Sequence, residues 1–162
     1  SFIKRYNSDL ANDFGNLLNR ISTLINKNYD GIIPQSRELT LEEKILKDAA
    51  GKLVSEIDGK IKNMKINEAI EDIMQFIRRI NKYMEEQAPW KLVKENKDAA
   101  GRILYTAGES LRIGASLLSP VMPNRTSILL EALNTRESTE WGGLKSGSKI
   151  RDHQPLFPRI QV

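Results

Sequence analysis

The sequence predicts an all-α protein, an antiparallel-type bundle of about five helices with an extended C-terminal tail. Three observations lead to this fold class. Apolar residues recur every three or four positions over most of the chain, which is the spacing of one helix face. No stretch shows the strict alternation of a half-buried strand. The length of 162 residues, with 40% hydrophobic and 28% charged residues, suits one folded domain.

The first predicted helix runs from about Ser8 to Lys27. Its apolar positions follow steps of four and three residues, so they form one stripe that faces a core. A cluster of turn-forming residues over 28–34 then ends it. The stripe consists of Leu10, Phe14, Leu17, Ile21 and Leu24.

The second and third helices are predicted from their ends as well as from their stripes. The second opens at Thr40, which fits a capping box with Glu43. The third begins near Asn67 and stops before Pro89, because the residue before a proline avoids the helical region. The apolar positions include Leu41, Ile45, Leu46, Leu53 and Ile57 in the second helix and Ile66, Ile70, Ile73, Ile77 and Ile80 in the third.

A fourth helix is predicted from about Asp98 to Leu118, with small inward residues that permit close helix packing. A fifth, short helix is capped by Asn124. Beyond it, glycine, serine and charged residues replace the periodic pattern. We therefore divide the chain into a helical bundle, residues 1–133, and a loop-like extension, residues 134–162. The small residues are Ala100, Ala107, Ser110 and Gly114.

The composition narrows the possible functions. Cysteine is absent and there is one histidine, His153, so neither a cysteine–zinc site nor a multi-histidine metal site is predicted. No uncharged apolar run reaches the ~20 residues of a membrane helix, and the first residues lack the apolar core of a signal peptide. We expect a soluble, cytoplasmic protein without a membrane partner. Its net charge of +4 permits a polyanionic partner but does not require one.

Common catalytic motifs are also absent from the sequence. It contains no phosphate-binding loop, no dinucleotide-binding glycine motif, no zinc-protease motif and no nucleophile elbow. The adjacent pairs Glu42–Glu43 and Glu85–Glu86 point about 100° apart on a helix, so neither forms a natural acid/base dyad. We predict no catalytic residue and no cofactor, and a small standalone hydrolase or transferase is disfavoured.

One face of the first helix carries an unusual polar stripe. Asn16 and Arg20 lie at its centre, spaced by one helical turn. Asparagine is a poor helix former, so its repeated use on a helix face is unusual. Asparagine and arginine side chains both form hydrogen bonds with the edges of nucleic-acid bases. The alternatives are a hydrogen-bond ladder between helices and a plain solvated face. The full stripe is Asn12, Asn16, Arg20, Thr23 and Lys27.

A second feature is the segment Glu86-Gln87-Ala88-Pro89-Trp90, directly after the third helix. A proline-fixed tryptophan beyond a helix end can present its indole face to an unpaired base. The alternative is a tryptophan buried in the core. Basic residues flank the segment and are candidates for phosphate contacts or for a salt-screened surface. They are Arg78, Arg79, Lys82, Lys91, Lys94 and Lys97.

Together these residues resemble a known family, the anticodon-binding domain of methionyl-tRNA synthetase. The helix Asp9-Leu10-Ala11-Asn12-Asp13-Phe14-Gly15-Asn16-Leu17-Leu18-Asn19-Arg20 is similar to the opening helix of that domain. Glu86-Gln87-Ala88-Pro89-Trp90-Lys91-Leu92 resembles its tryptophan motif. Leu117-Leu118-Ser119-Pro120 is similar to its late helix end, and the extended tail Leu156-Phe157-Pro158-Arg159-Ile160 to its closing segment.

The resemblance implies a helical domain of a class I aminoacyl-tRNA synthetase that recognises the methionine anticodon CAU. In the family, residues matching Asn16, Arg20 and Trp90 recognise the anticodon, with the tryptophan stacking under its first base. Asn81 is a further anticodon-binding candidate by analogy. Some relatives carry aspartate where this chain has Glu85, so no role is transferred to that residue.

The resemblance also defines the expected partners. They are the anticodon loop of methionine tRNA and the catalytic domain of a parent methionine–tRNA ligase. We expect the extension 134–162 to pack either on the bundle or on that catalytic domain. The family's His-Ile-Gly-His-like and Lys-Met-Ser-Lys-Ser-like motifs are absent, so we expect an isolated domain that does not activate methionine. DNA is not an expected partner. The alternatives are the matching domain of another class I synthetase and a helical protein–protein adaptor without RNA binding.

Overall fold

The computed structural model describes residues 2–36 and 38–152. Within these ranges the chain forms six helices and one isolated antiparallel bridge, between Ile32 and Lys149. The predicted all-α bundle is therefore confirmed. The helices are α1 (Phe2–Tyr29), α2 (Leu41–Lys62), α3 (Ile66–Gln87), α4 (Pro89–Leu92), α5 (Lys97–Leu118) and α6 (Pro123–Ala132).

Helix α5 is the centre of the molecule, because it packs against each of the other five helices. From Ala99 to Leu118 every residue except Arg102 is buried. Small residues allow this close packing: a Cβ atom added at Gly114 would lie 2.9 Å from Ile77 Cδ1 on α3. The prediction that small residues on this helix permit close approach agrees with that contact.

The observed helices differ from the predicted ones in four places. Helix α1 begins at Phe2 rather than near Ser8, since no proline or glycine interrupts residues 2–7. The short helix α4 was not predicted. Helix α6 begins at Pro123, with Met122 rather than Asn124 at the cap, because proline's fixed φ suits the first helical turn. Finally, three members of the predicted stripes, Leu41, Ile45 and Ile66, are exposed.

A buried ion pair on α5 joins the helical bundle to the segment that follows it. Glu109 and Arg112, one turn apart, are both fully buried, and the carboxylate binds the guanidinium through both oxygens. Burial of two charges is costly unless their remaining hydrogen-bonding capacity is used. Here Glu109 accepts three backbone N–H groups and Arg112 donates to three carbonyls of the segment. The N–H donors are Gly142, Gly143 and Leu144, and the carbonyls are those of Arg136, Ser138 and Glu140.

Residues 134–152 therefore pack on the bundle without regular secondary structure of their own. Leu144 and Ile150 are buried in the same core as the helices. Gly143 lies so close to the guanidinium that an added Cβ atom would be 2.4 Å from Arg112 Cζ. The residues predicted to form the extended tail, Pro155–Ile160, and the single histidine, His153, lie outside the described residues.

A second polar cluster fixes the start of α2 against α3 and α5. The carboxylate of Glu43 accepts hydrogen bonds from the backbone and hydroxyl of Thr40, at 3.0 and 2.6 Å, so the predicted cap interaction is present. It also accepts the hydroxyl of Tyr83 at 2.7 Å and pairs with Arg102 at 2.8 Å. Burial opposes the charged form, but these hydrogen bonds and the arginine outweigh it and hold the pKa of Glu43 below its ordinary value.

None of the helices in the described ranges is long and apolar enough to cross a membrane. Within the same ranges, no group of three or more acidic, histidine or cysteine side chains is placed to hold a metal ion.

We predict that Gly143→Ala destabilises the domain. The added methyl group displaces the Arg112 guanidinium from its carbonyl partners, and overpacking of this kind costs about 1–3 kcal/mol. Urea unfolding measures the change in free energy. Gly51→Ala is the control, because its site on α2 is open, and there alanine should stabilise the helix by about 0.5–1 kcal/mol. Equal effects of the two substitutions would refute the close-packing account.

We predict that Glu43 contributes stability that disappears in acid. Because its pKa is lower in the folded state than the ordinary 4.5, the contribution is complete above that pH and is lost as the pH falls through the folded pKa. Glu43→Gln keeps the shape and removes the charge, so the free energy of unfolding should fall less between pH 6 and pH 3 than in the unmodified protein. Glu42→Gln, which removes a carboxylate at the exposed neighbouring position, is the matched control.

Candidate nucleic-acid interface

Helices α1 and α3 run side by side in the same direction. Arg20 Nη2 lies 2.8 Å from Glu85 Oε1, and Arg78 Nε lies 3.3 Å from Asp13 Oδ2. In both ion pairs the residue on α3 follows its partner on α1 by 65 positions. Residue numbers therefore increase in the same direction along the two helices. The two helices are therefore parallel and keep a constant register over at least two turns.

This register relates the two predicted asparagines. Asn16 and Asn81 are also separated by 65 positions, so they occupy matching levels between the two ion pairs. Asn16 is exposed and Asn81 is half-buried. Among the described residues neither side chain has a hydrogen-bond partner, so of the predicted alternative, a hydrogen-bond ladder between helices, only the contact of Arg20 with Glu85 is present at this part of the stripe. Both amides remain available to a ligand.

The position of Trp90 is set by the sharp reversal between α3 and α4. Ala88 ends α3 in the left-handed conformation, with φ 46°, and Pro89 then starts α4 as its first residue. Pro89 is buried, whereas Trp90 is only half-buried. The tryptophan lies just beyond the end of α3, as predicted, and the added turn of α4 holds it there against the bundle.

The structure brings Arg20 and Trp90 together. The guanidinium carbon of Arg20 lies 5.0 Å from the centre of the indole ring, which is a cation–π arrangement. The same guanidinium binds Glu85, so two contacts fix its position. Its side chain is still 34% exposed, and that of Glu85 is 62% exposed, so this pair remains open to solvent.

A shallow depression of about 350 Å³ opens beside this pair. Arg20 and Trp90 line it, and Asn16 and Asn81 do not. The remaining lining residues are Asn19, Thr23 and Leu24. Thr23 belongs to the predicted polar stripe, whereas Asn19 and Leu24 were not predicted as site residues. The spacing of Leu24 predicted a core position, and Asn19 lies beside the polar stripe rather than on it.

A larger cavity, of about 570 Å³, lies at the start of α5, and its polar groups are mostly engaged within the protein. The hydroxyl of Tyr29 donates to the carbonyl of Lys97 at 2.7 Å, and burial raises the pKa of Tyr29 to about 12. Arg102, also in its wall, pairs with Glu43. Two polar side chains of this wall, Tyr29 and Arg102, are therefore already engaged within the protein.

The chain matches a known family of domains. The profile described as the anticodon binding domain of methionyl tRNA ligase matches residues 33–154, which include Asn81 and Trp90 but not α1. Methionine–tRNA ligase of Clostridium acetobutylicum is 41% identical over 169 residues, covering 99% of this chain and 26% of that protein. The corresponding enzyme of Caldanaerobacter subterraneus is 37% identical over 171 residues, covering 100% and 27%.

Solved structures show the same relationship. The free form of Mycobacterium tuberculosis methionyl-tRNA synthetase superposes with a TM-score of 0.89 at 31% identity, over 99% of this chain and 34% of that one. The same enzyme in complex with methionyl-adenylate gives 0.87 at 30% identity, over 97% and 33%. This chain spans about a quarter to a third of the length of these relatives. It belongs to the family of methionyl-tRNA synthetase anticodon-binding domains.

Proposed function

We propose that this domain binds the anticodon loop of methionine tRNA and selects its CAU sequence by stacking and base-edge hydrogen bonds. We further infer that it does so as the recognition domain of a methionine–tRNA ligase whose catalytic part lies outside this chain. The observation that carries the proposal is the contact of Arg20 with the half-exposed ring of Trp90 at the edge of an open depression.

The chemistry of the depression suits one unpaired base. Proteins read single-stranded RNA by stacking splayed bases on aromatic rings and by bonding their edges. Trp90 supplies the ring and Arg20 supplies several N–H donors beside it. The pairing edge of cytosine carries two acceptors, for which the guanidinium is suited, and one donor, which an asparagine carbonyl can accept. We assign the second task to Asn16 or Asn81, which lie outside the lining of the depression, one turn before Arg20 and Glu85, and whose amides have no partner among the described residues.

The ion pair with Glu85 fits the same role. An exposed pair of this kind contributes only about 0–1 kcal/mol, so a base can take over some of its donors at small cost. Until then it holds the guanidinium beside the indole, which reduces the entropy lost on binding. The base therefore meets a partly organised site.

The alternative of a protein–protein adaptor makes a different demand on the tryptophan. An adaptor needs no cation or free amide beside Trp90, and it predicts that this residue lies in a protein contact or the core, away from Asn16 and Arg20. Trp90 is half-buried and next to Arg20. The geometry therefore favours RNA over the adaptor.

The proposal is tested by measuring the binding of this domain to two RNA stem-loops at fixed, low salt. One carries the anticodon CAU, and the other differs only in its first base, changed to G. The proposal predicts tighter binding of CAU, because a wrong base leaves polar groups of the site unpaired. Equal binding of the two stem-loops would contradict anticodon reading by these residues. A third stem-loop, with an isoleucine or valine anticodon, tests the alternative that this is the domain of another class I synthetase. That alternative predicts tighter binding of the third stem-loop than of CAU.

We predict that Trp90→Ala weakens binding of the CAU stem-loop by about 1–3 kcal/mol, the usual value of one stacked base. Trp90→Phe should lose less, because a smaller ring remains. Fluorescence anisotropy with labelled RNA measures the affinities, and circular dichroism verifies that the helices are intact. The control is Leu41→Ala, which removes an exposed apolar side chain on α2 and should leave binding unchanged.

We predict that Arg20→Ala lowers the preference for CAU over the stem-loop with G at the first position. The donors for the base edge are lost, while the free energy of unfolding changes by less than about 1 kcal/mol because the pair with Glu85 is exposed. Arg79→Ala on α3 removes an equally charged, exposed side chain and serves as the control. A uniform loss of affinity for both stem-loops would identify Arg20 as a phosphate contact instead.

A further inference from the structure

We infer that the RNA strand leaves the Trp90 depression over Lys27 and Lys94, which bind its phosphates, and not over the opposite, acidic end of the depression. This inference rests on the proposed function, and it adds the path of the sugar–phosphate chain to the position of the base.

The two lysines lie towards the same end of the depression, because Lys97, three residues after Lys94, has its ammonium 5.3 Å from the ring of Tyr29, two residues after Lys27. On α1, Lys27 follows Arg20 by seven residues and Thr23 by four, so it lies on the same helix face, about one turn beyond the depression. On the other side, Lys94 follows Trp90 by four residues. The backbone bonds from Val93 to Pro89 and from Lys94 to Lys91 continue the helical turn of α4 to that point.

Both lysines are available to a ligand. Each is exposed, and among the described residues neither lies within ion-pair distance of a carboxylate. Lys91, also exposed, lies in the same turn as Lys94. The acidic Glu95 follows Lys94 directly but points about 100° away from it around the turn. Lysine ammonium groups without an internal partner are suited to phosphate, for which they need no fixed geometry.

The opposite end of the depression differs, because acidic side chains lie there. There Arg20 pairs with Glu85, and two turns further back Arg78 is shared by Asp13 and Asp9, at 3.3 and 3.8 Å. In these contacts three carboxylates face two guanidinium groups. Lys82, on the same helix, is 3.8 Å from Glu86. A phosphate chain crossing this end passes three carboxylates, whereas one crossing the lysine end passes Lys27, Lys91 and Lys94, with Glu95 turned away from Lys94.

The consequence is a separation of tasks along α1. Beyond the middle of the helix, Asn16 and Arg20 read a base, and at its C-terminal end Lys27 attracts the chain that follows. Phosphate contacts release counterions, so each adds to the salt dependence of binding without adding to base selectivity. Base selectivity and salt dependence are therefore expected to respond to different substitutions.

The experiment compares two double variants with the unmodified domain, using the CAU stem-loop and its G variant over a range of salt concentrations. Lys27→Ala with Lys94→Ala removes the proposed contacts. Lys44→Ala with Lys52→Ala, both exposed on α2, removes the same charge elsewhere and is the matched control. The slope of log affinity against log salt should become shallower by about 1.4 in the first variant, at about 0.7 for each single-strand contact. In the control it should not change.

The outcomes separate this inference from the proposed function. A shallower slope with an unchanged ratio of CAU to G-variant binding supports the phosphate path. A slope equal to that of the control overturns it, and so does a changed ratio, which would assign the lysines to base reading. Absence of a CAU preference in the unmodified domain contradicts the proposed function instead, and the slopes then report only on the electrostatic contact.

Discussion

Burial of α5 around its whole circumference is the constraint on which the rest of the structure depends. Nearly every side chain from Ala99 to Leu118 is buried, so each surrounding element has to match its surface. Its two interior charges, Glu109 and Arg112, are the clearest case. They are stable in the core only because the segment 134–152 supplies three N–H groups and three carbonyls. Six hydrogen bonds thereby attach a segment without regular structure to α5.

The candidate interface depends on the same packing. Helices α1, α3 and α4, which carry Arg20, Glu85 and Trp90, all rest on α5. A binding site on rigid elements keeps its groups in place before the ligand arrives. The guanidinium already lies 5.0 Å from the indole centre and 2.8 Å from the carboxylate, so little reorganisation is required when a base enters.

Much of this could be predicted from the sequence, because helix periodicity and caps are local signals. The capping pair Thr40–Glu43 and the stop before Pro89 are examples. The contacts of Glu43 with Tyr83 and Arg102 were beyond prediction, since nothing local links residues 40 or more positions apart. The exposure of Leu41 has the same cause: periodicity reports a helix face, but only tertiary packing decides how much of it is covered. At the site, Asn16, Arg20, Asn81 and Trp90 were proposed from residue type and family resemblance, and the pairing of Arg20 with Glu85 appeared only in three dimensions.

The central claim is that an anticodon base stacks on Trp90, and tryptophan emission tests it most directly. The chain has two tryptophans, so a Trp141→Phe variant reports on Trp90 alone. Titration with the CAU stem-loop should quench this emission with the same midpoint as binding measured by anisotropy. The complementary Trp90→Phe variant, which leaves Trp141 beside Lys47 on α2, should show no such change. RNA binding that leaves Trp90 emission unaltered, or that alters only Trp141, would contradict the account.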